Sequence, residues 1–182
     1  MPSKRCAAPP RRRWSRGGRE VKAEAGIAGQ LARALALGTP ALLLAGAYGS
    51  QYGFGLAPCE MCWWQRYAHF AALGIAVLAY MRPRDAWLTG LAGAALAVAG
   101  LIGLFHAGVE YGWWQGLTAC SAPATASGGD PLEAIMKAPL VRCDVAPWSL
   151  FGVSLAGWNF LFSAAAALAI GFLMARRGDA AA

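Results

Sequence analysis

Residues 86–108 read AWLTGLAGAALAVAGLIGLFHAG, an apolar run that contains no Asp, Glu, Lys or Arg. A bilayer core about 30 Å thick requires about 20 apolar residues per helix, so this run is long enough to cross a membrane. Three further apolar stretches, at residues 27–48, 63–80 and 148–174, approach the same length. The sequence therefore predicts an all-α fold with four transmembrane helices.

The composition of the whole chain agrees with a membrane protein. Hydrophobic residues make up 58% and charged residues only 14%, which departs strongly from soluble proteins. In 182 residues, four spans leave little room for a separate soluble domain. We expect an integral membrane four-helix bundle at residues 27–176, with two external loops, the longer of them at 109–147. A basic disordered tail at 1–26 and a short tail at 177–182 complete the predicted organisation.

Basic residues predict the orientation of the bundle, because short loops rich in Lys and Arg stay in the cytoplasm. They cluster in the first tail, in the connection at Arg82 and Arg84, and at Arg176 and Arg177. Both termini are therefore expected to be cytoplasmic. The net charge of +7 lies mostly in the tail, which favours contact with anionic membrane lipid and argues against nucleic-acid binding. The tail resembles a twin-arginine signal, but the long first apolar stretch lacks a convincing cleavage site, which favours a retained helix.

Four of the five cysteines fall on the predicted external side, and Cys6 alone falls in the tail as an incidental thiol. The external cysteines are Cys59, Cys62, Cys120 and Cys143. They make two disulfides plausible, and the sequence alone allows three pairings. The close spacing favours Cys59 with Cys62, which leaves Cys120 with Cys143.

The pair Cys59 and Cys62 forms a C-x-x-C motif at the start of the second predicted helix. A cysteine in the first turn of a helix has its thiolate favoured by the helix dipole. Arg66 lies at i+4 from Cys62, and an arginine inside a membrane segment is costly enough to indicate function. It could stabilise a thiolate or hold an oxygen of an electron acceptor. The structural alternative is an Arg66 that extends to the interface and a disulfide that only braces the chain.

Metal and haem sites fit the cysteine pattern less well. A c-type haem site requires His after the second cysteine, where this chain has Trp63. A four-cysteine zinc site would have to bridge a long loop rather than the usual short spacing. We therefore predict no metal.

The external loop has two predicted parts. Residues 118–129 are rich in small residues, which predicts a flexible segment that can present Cys120 to another protein. Asp130, Pro131 and Glu133 then have the pattern of a capped helix start. The short helix that follows either lies on the bilayer or packs within the loop.

Several motifs together resemble the DsbB family, the membrane quinone reductases that reoxidise periplasmic thiol oxidases. They are the sequence PCEMC at 58–62, Arg66, the loop cysteines Cys120 and Cys143, and WSLFG at 148–152. The resemblance covers residues 34–174. Vitamin K epoxide reductases share a four-helix bundle, but their C-x-x-C comes after the loop cysteines, whereas here it comes first.

The resemblance implies a role for each external cysteine. Cys120 would form a mixed disulfide with a reduced DsbA-like oxidase of the thioredoxin fold, and Cys143 would be its original disulfide partner. Cys59 would then exchange with the loop cysteines, and Cys62 would pass electrons to ubiquinone or menaquinone. The implied location is the bacterial inner membrane, with the redox loops facing the periplasm.

The quinone site is expected where the second helix meets its neighbours near the external surface. Its candidate residues are Arg66, His106, Trp63 and Tyr67. The two aromatic residues are alternatively an interfacial belt, and His106 is alternatively a buried, hydrogen-bonded histidine. The alternative function is a non-catalytic membrane protein whose disulfides brace its loops, as a partner-binding module.

Overall fold

Long helices dominate the computed structural model, which describes residues 16–117 and 141–179, with side chains from 26 to 117 and from 141 to 177. In chain order the elements are α1 (Arg16–Phe54), α2 (Glu60–Met81), α3 (Ala86–Glu110), β1 (Ser149–Leu150), β2 (Val153–Ser154) and α4 (Leu155–Asp179). The fold is all-helical apart from the short antiparallel hairpin of β1 and β2. Cys6, Cys120 and the predicted loop helix lie outside the described residues.

Each helix packs against the next one along the chain, and α4 also packs against α1. This arrangement is consistent with the predicted four-helix bundle. Its main core is made largely of alanine, which allows the helix backbones to approach closely. The fully or almost fully buried members are Ala32, Ala36, Ala72, Ala76, Ala92, Leu96, Ala166 and Ile170.

Two helix boundaries differ from the predicted ones. Helix α1 begins at Arg16, so the later part of the predicted disordered tail is helical. That part is rich in Ala, Glu, Lys and Arg, which are good helix formers. Helix α4 begins at Leu155 rather than at residue 148. Phe151 and Gly152 have φ angles of 52° and 76°, and this left-handed turn forms the hairpin instead of a first helical turn.

Three helices are long and apolar enough to cross a membrane, at Gly26–Phe54, Ala86–Glu110 and Leu155–Arg177. Helix α2 is not among them in the described part of the chain. The physical reason is its polar content, since Glu60, Gln65, Arg66 and His69 lie within it. Three of these residues, Gln65, Arg66 and His69, form part of the candidate site.

The connection between α1 and α2 positions the C-x-x-C motif. Gly55 has a φ angle of 69°, a conformation that favours glycine and ends α1 at Phe54. Cys59 then serves as the N-cap of α2, with its sulfur accepting from the backbone N–H of Cys62 at 3.3 Å. The motif therefore starts the helix itself.

Helices α3 and α4 approach each other closely beside Gly103. A Cβ atom at Gly103 would lie 2.9 Å from Asn159 Nδ2 and 3.0 Å from the backbone oxygen of Ala156. A side chain at this position would therefore separate the two helices and disturb Asn159.

We expect Gly103→Ala to lower the free energy of unfolding by about 1–3 kcal/mol, because overpacking a tight contact forces the backbone to shift. Thermal unfolding of the purified protein in detergent measures the change. The matched control is Gly74→Ala in α2, where an added Cβ would meet nothing within 4 Å. That control should leave stability unchanged or raise it by up to about 1 kcal/mol, because alanine is the better helix former. Equal unfolding temperatures for the two variants would contradict this close approach.

Candidate functional site

The two cysteines of the C-x-x-C motif lie side by side at the start of α2. Their sulfur atoms are 3.0 Å apart, which is hydrogen-bond contact between thiols and not the covalent distance of about 2.05 Å. The hydrogen bond to Cys62 and burial together raise the pKa of the Cys59 thiol. The pair therefore keeps a proton on Cys59 and directs it toward the sulfur of Cys62.

Cys143 is fully buried in the same small core cluster as Cys59. Met61 and Val109 complete the buried part of that cluster. On either side of Cys143 in the chain, Arg142 and Asp144 form an ion pair in which Arg142 Nε donates to Asp144 Oδ1 at 2.9 Å. The structure thus brings one loop cysteine into the buried cluster that contains Cys59, with Cys62 packed at the edge of that cluster.

Arg66 is held inside the bundle and is only 5% exposed. Its guanidinium donates to Gln51 Oε1 at 2.6 Å and to the backbone oxygen of Ala47 at 3.0 Å, both on α1. It also lies over the Tyr48 ring at 4.6 Å and the Trp63 ring at 5.0 Å. Since a guanidinium has five N–H donors, these contacts leave donors for a ligand.

His106 joins α3 to the dithiol. Its Nε2 lies 3.5 Å from Cys59 Sγ, and its Nδ1 lies 2.8 Å from Gln65 Nε2. The same Gln65 nitrogen is 3.3 Å from the backbone oxygen of Met61, which can only accept. This contact fixes the amide orientation, so Gln65 donates to His106 Nδ1. His106 therefore carries its proton on Nε2, which faces Cys59 Sγ and also lies 3.7 Å from Glu110 Oε1.

The polar contacts continue from Gln65 to α4. Asn159 Nδ2 donates to Gln65 Oε1 at 2.7 Å, and Asn159 Oδ1 accepts from His69 Nε2 at 2.7 Å. Cys59, His106, Gln65, Asn159 and His69 thus form one buried chain of hydrogen bonds, called here the polar chain. Polar groups at such positions in membrane helices are rare and usually functional.

A cavity of about 280 Å³ opens beside the polar chain, lined by all four helices. Its polar lining consists of Ser50, Cys62, Gln65, Arg66, His69, His106, Glu110 and Asn159. Apolar residues such as Leu43, Leu44 and Phe162 form much of the remaining wall. This combination of apolar walls and a few converging polar groups is typical of a small-molecule site, and the volume is near the lower end for such sites.

The structure brings only some of the predicted site residues to the cavity. Cys62, Arg66 and His106 line it, whereas Cys59 packs beside it. Trp63 and Tyr67 do not line it: Tyr67 is 61% exposed, and Trp63 packs between Tyr67 and Arg66. Cys120 lies outside the described residues.

Four residues that line the cavity were not among the predicted site residues: Gln65, His69, Glu110 and Asn159. A signal for His69 was present, since Cys62, Arg66 and His69 lie at i, i+4 and i+7 and so share one helix face. Asn159 was a second signal, because an amide within a largely apolar segment indicates a functional position. The contacts between helices, however, depend on a packing register that the pattern does not contain.

The same residues offer a donor set for a metal ion. Ligand atoms of Cys59, Cys62 and His106 lie within 4.8 Å of one another. Thiolate and imidazole suit zinc, but His106 Nε2 carries a proton here and would have to lose it to bind a metal. The cluster is therefore arranged for hydrogen bonding between the imidazole and a thiol.

We expect both histidines of the chain to carry their proton on Nε2, as the polar chain requires. Gln65→Glu should move the His106 proton to Nδ1, because an ionised glutamate can only accept. Nitrogen-15 NMR of histidine-labelled protein distinguishes the two tautomers. The matched control is Gln51→Glu, which lies outside the polar chain and should leave the His106 signals unchanged. A proton on Nδ1 of His106 in the unsubstituted protein would contradict the assigned direction.

Comparisons with known proteins match this chain to one family. The family model described as disulfide bond formation protein DsbB matches residues 29–173. The chain is 35% identical over 156 residues to disulfide bond formation protein B of Azoarcus sp., covering 75% of this chain and 87% of that protein. It is 32% identical over 153 residues to the protein of the same name from Verminephrobacter eiseniae, covering 78% and 83%. The corresponding protein of Marinobacter nauticus is 30% identical over 144 residues, covering 74% and 85%. No solved structure gives a significant match.

Proposed function

This chain belongs to the DsbB family of disulfide bond formation proteins, and we propose that it passes electrons from a protein dithiol to membrane quinone. Family membership supports a role as an oxidoreductase in disulfide bond formation. The electron donor that we propose is a reduced DsbA-like oxidase of the thioredoxin fold. The proposed acceptor is ubiquinone or menaquinone dissolved in the bilayer.

The observation that carries the proposal is the different surroundings of the two cysteines. Cys62 lines the cavity together with Arg66 and packs only at the edge of the buried cluster, whereas Cys59 and Cys143 are both buried members of that cluster. These surroundings support Cys62 as the cysteine that meets an acceptor inside the bundle, and Cys59 as the one that exchanges with a loop cysteine. A disulfide that only braced the chain would not need a cavity beside it.

The lining of the cavity fits a quinone head group. Arg66 supplies N–H donors for a carbonyl oxygen, and the apolar wall suits a ring and an isoprenoid tail. Within the described residues, His69 Nδ1 and Glu110 Oε2 are buried polar atoms without a hydrogen-bond partner, and both residues line the cavity. Buried polar groups normally have partners, so these two atoms favour a polar ligand.

The proposed route begins at the loop. A thiolate of the reduced partner attacks Cys120 in the disulfide between Cys120 and Cys143, which forms a mixed disulfide and releases Cys143. The Cys143 thiolate then attacks Cys59 in the disulfide between Cys59 and Cys62 and releases Cys62. The second partner thiol displaces Cys120, and Cys120 then displaces Cys59 from Cys143, so the partner ends as a disulfide and Cys59 and Cys62 as two thiols.

A quinone bound in the cavity would accept two electrons and two protons. Cys62 would then pass electrons to the acceptor in the cavity, while Cys59 forms a disulfide with Cys62. The two thiols together lose two electrons and two protons, and one quinone becomes one quinol. The hydrogen bond from His106 Nε2 favours negative charge on the Cys59 sulfur during exchange.

The proposed location follows from the charge distribution and the family. We place the protein in the bacterial inner membrane, with both termini in the cytoplasm and the dithiol toward the periplasm. The basic side chains at the connection between α2 and α3 and at the end of α4 support this orientation.

A coupled assay tests the proposal. The purified protein is added in catalytic amount to a reduced thioredoxin-fold dithiol oxidase and a short-chain ubiquinone or menaquinone, and quinone absorbance is followed. We expect repeated turnover, with one quinol formed per disulfide made in the partner. If neither quinone were reduced with any of several such partners, that result would support the alternative function, a non-catalytic partner-binding module whose disulfides only brace its loops.

A further inference from the structure

His69 is the buried end of the polar chain, and one of its ring nitrogens is unexplained by the protein alone. The residue is 3% exposed and lines the cavity. Its Nε2 is hydrogen-bonded to Asn159, but its Nδ1 has no hydrogen-bond partner among the described residues. A buried polar atom of this kind calls for a ligand or another explanation.

The protonation of His69 is fixed by its neighbours. Asn159 Nδ2 lies 3.3 Å from the backbone oxygen of Ala99, which can only accept, so the amide nitrogen must face α3. Asn159 Oδ1 therefore faces His69 and also accepts from Ser163 Oγ at 3.2 Å. His69 must donate through Nε2, which leaves Nδ1 as a lone pair. The other unpartnered atom, Glu110 Oε2, does not define whether its ligand donates or accepts, because a carboxyl group can do either.

The cavity thus contains two polar groups of opposite character on one face of α2. Arg66 can only donate, whereas His69 Nδ1 can only accept. A quinone carbonyl is an acceptor and can bind Arg66 but not His69. A quinol hydroxyl can donate, and so of these two forms only the quinol can satisfy His69 Nδ1.

We propose that His69 makes the cavity selective for the reduced form of the quinone, by accepting a hydrogen bond from a quinol hydroxyl at Nδ1. This inference rests on the proposed function. When the thiols of Cys59 and Cys62 become a disulfide, their two electrons and two protons convert both carbonyl groups into hydroxyl groups. His69 then gains a partner that it lacked before the reaction.

The consequence is a stronger oxidant at the site. A cavity that binds quinol more tightly than quinone raises the reduction potential of the bound couple. Each tenfold preference for quinol over quinone raises this reduction potential by about 30 mV, because two electrons are transferred. His69 is thereby a positioning and specificity residue that favours electron flow from the dithiol into the cavity.

The test compares the affinities of the full-length protein in detergent for a short-chain ubiquinone and for its quinol, each measured by titration. We expect His69→Leu to weaken quinol binding about tenfold, with quinone binding unchanged or tighter. His69→Asn should keep most of the preference, because its Oδ1 can replace the Nδ1 acceptor. Ser163→Ala is the matched control, since it removes another hydrogen bond to Asn159 but does not line the cavity.

A second measurement does not depend on affinity. In nitrogen-15 NMR of the histidine-labelled protein, quinol should shift the His69 Nδ1 resonance and quinone should not. The inference is overturned if His69→Leu keeps the quinol preference, if the Leu and Asn variants behave alike, or if quinol leaves that resonance unmoved. Binding of neither form by the unsubstituted protein would instead overturn the proposed function, and this inference with it.

Discussion

Cys62→Ala should abolish quinone reduction by a reduced thioredoxin-fold partner, lowering the turnover rate about a thousandfold or more. The physical reason is that Cys62 is the cysteine of the dithiol that lines the cavity. Without its sulfur, Cys59 has no neighbour at 3.0 Å with which to close a disulfide. Turnover is measured from quinone absorbance, and folding from size-exclusion profile and thermal unfolding in detergent.

Cys6→Ala is the matched control for that experiment, because Cys6 lies in the basic tail outside the residues that match the family. Its turnover should equal that of the unsubstituted protein. A Cys62→Ala protein that is folded and still turns over at a comparable rate would contradict the assigned role of the dithiol.

Arg66→Met should raise the KM for quinone about 10- to 100-fold, while the KM for the protein partner changes less than about twofold. A hydrogen bond to a charged group contributes about 1.5–3 kcal/mol, which corresponds to this range of affinity. Arg66 lies on the cavity side of α2 and is anchored by Gln51 and Ala47, so its replacement changes the lining of the cavity. Steady-state kinetics with each substrate varied in turn measures the two effects.

Two variants sharpen this prediction. Arg66→Lys keeps the charge but not the planar set of donors, and its KM should be intermediate. Arg84→Met makes the same change at the other end of α2, beyond its last residue Met81, and should leave both KM values unchanged. Equal effects of Arg66→Met on quinone and on partner would argue against a quinone role for this arginine.

Much of the fold could be predicted because hydrophobic length is a strong local signal. Residues 86–108 were predicted as a helix, and α3 extends over Ala86–Glu110. The ends of helices were harder, since they depend on single residues. The turn at Phe151 and Gly152 converts the predicted start of the last helix into a hairpin, and good helix formers extend α1 back to Arg16.

The candidate site could be predicted in part, because spacing along one helix is visible in the sequence. Arg66 at i+4 shares a face with Cys62, and both line the cavity. Trp63 and Tyr67, at i+1 and i+5, point about 100° and 140° away around the helix, which explains why neither lines it. The polar chain was not predictable, because it joins α2, α3 and α4 through side chains whose meeting depends on helix packing.

A single-turnover experiment tests the central claim most directly. The protein is first reduced so that Cys59 and Cys62 are thiols, and is then mixed with one equivalent of quinone, without partner or oxygen. We predict one quinol per protein and the appearance of a disulfide between Cys59 and Cys62, identified by mass spectrometry after alkylation. Quinone that stays oxidised while both thiols remain available for alkylation would contradict the proposed electron transfer.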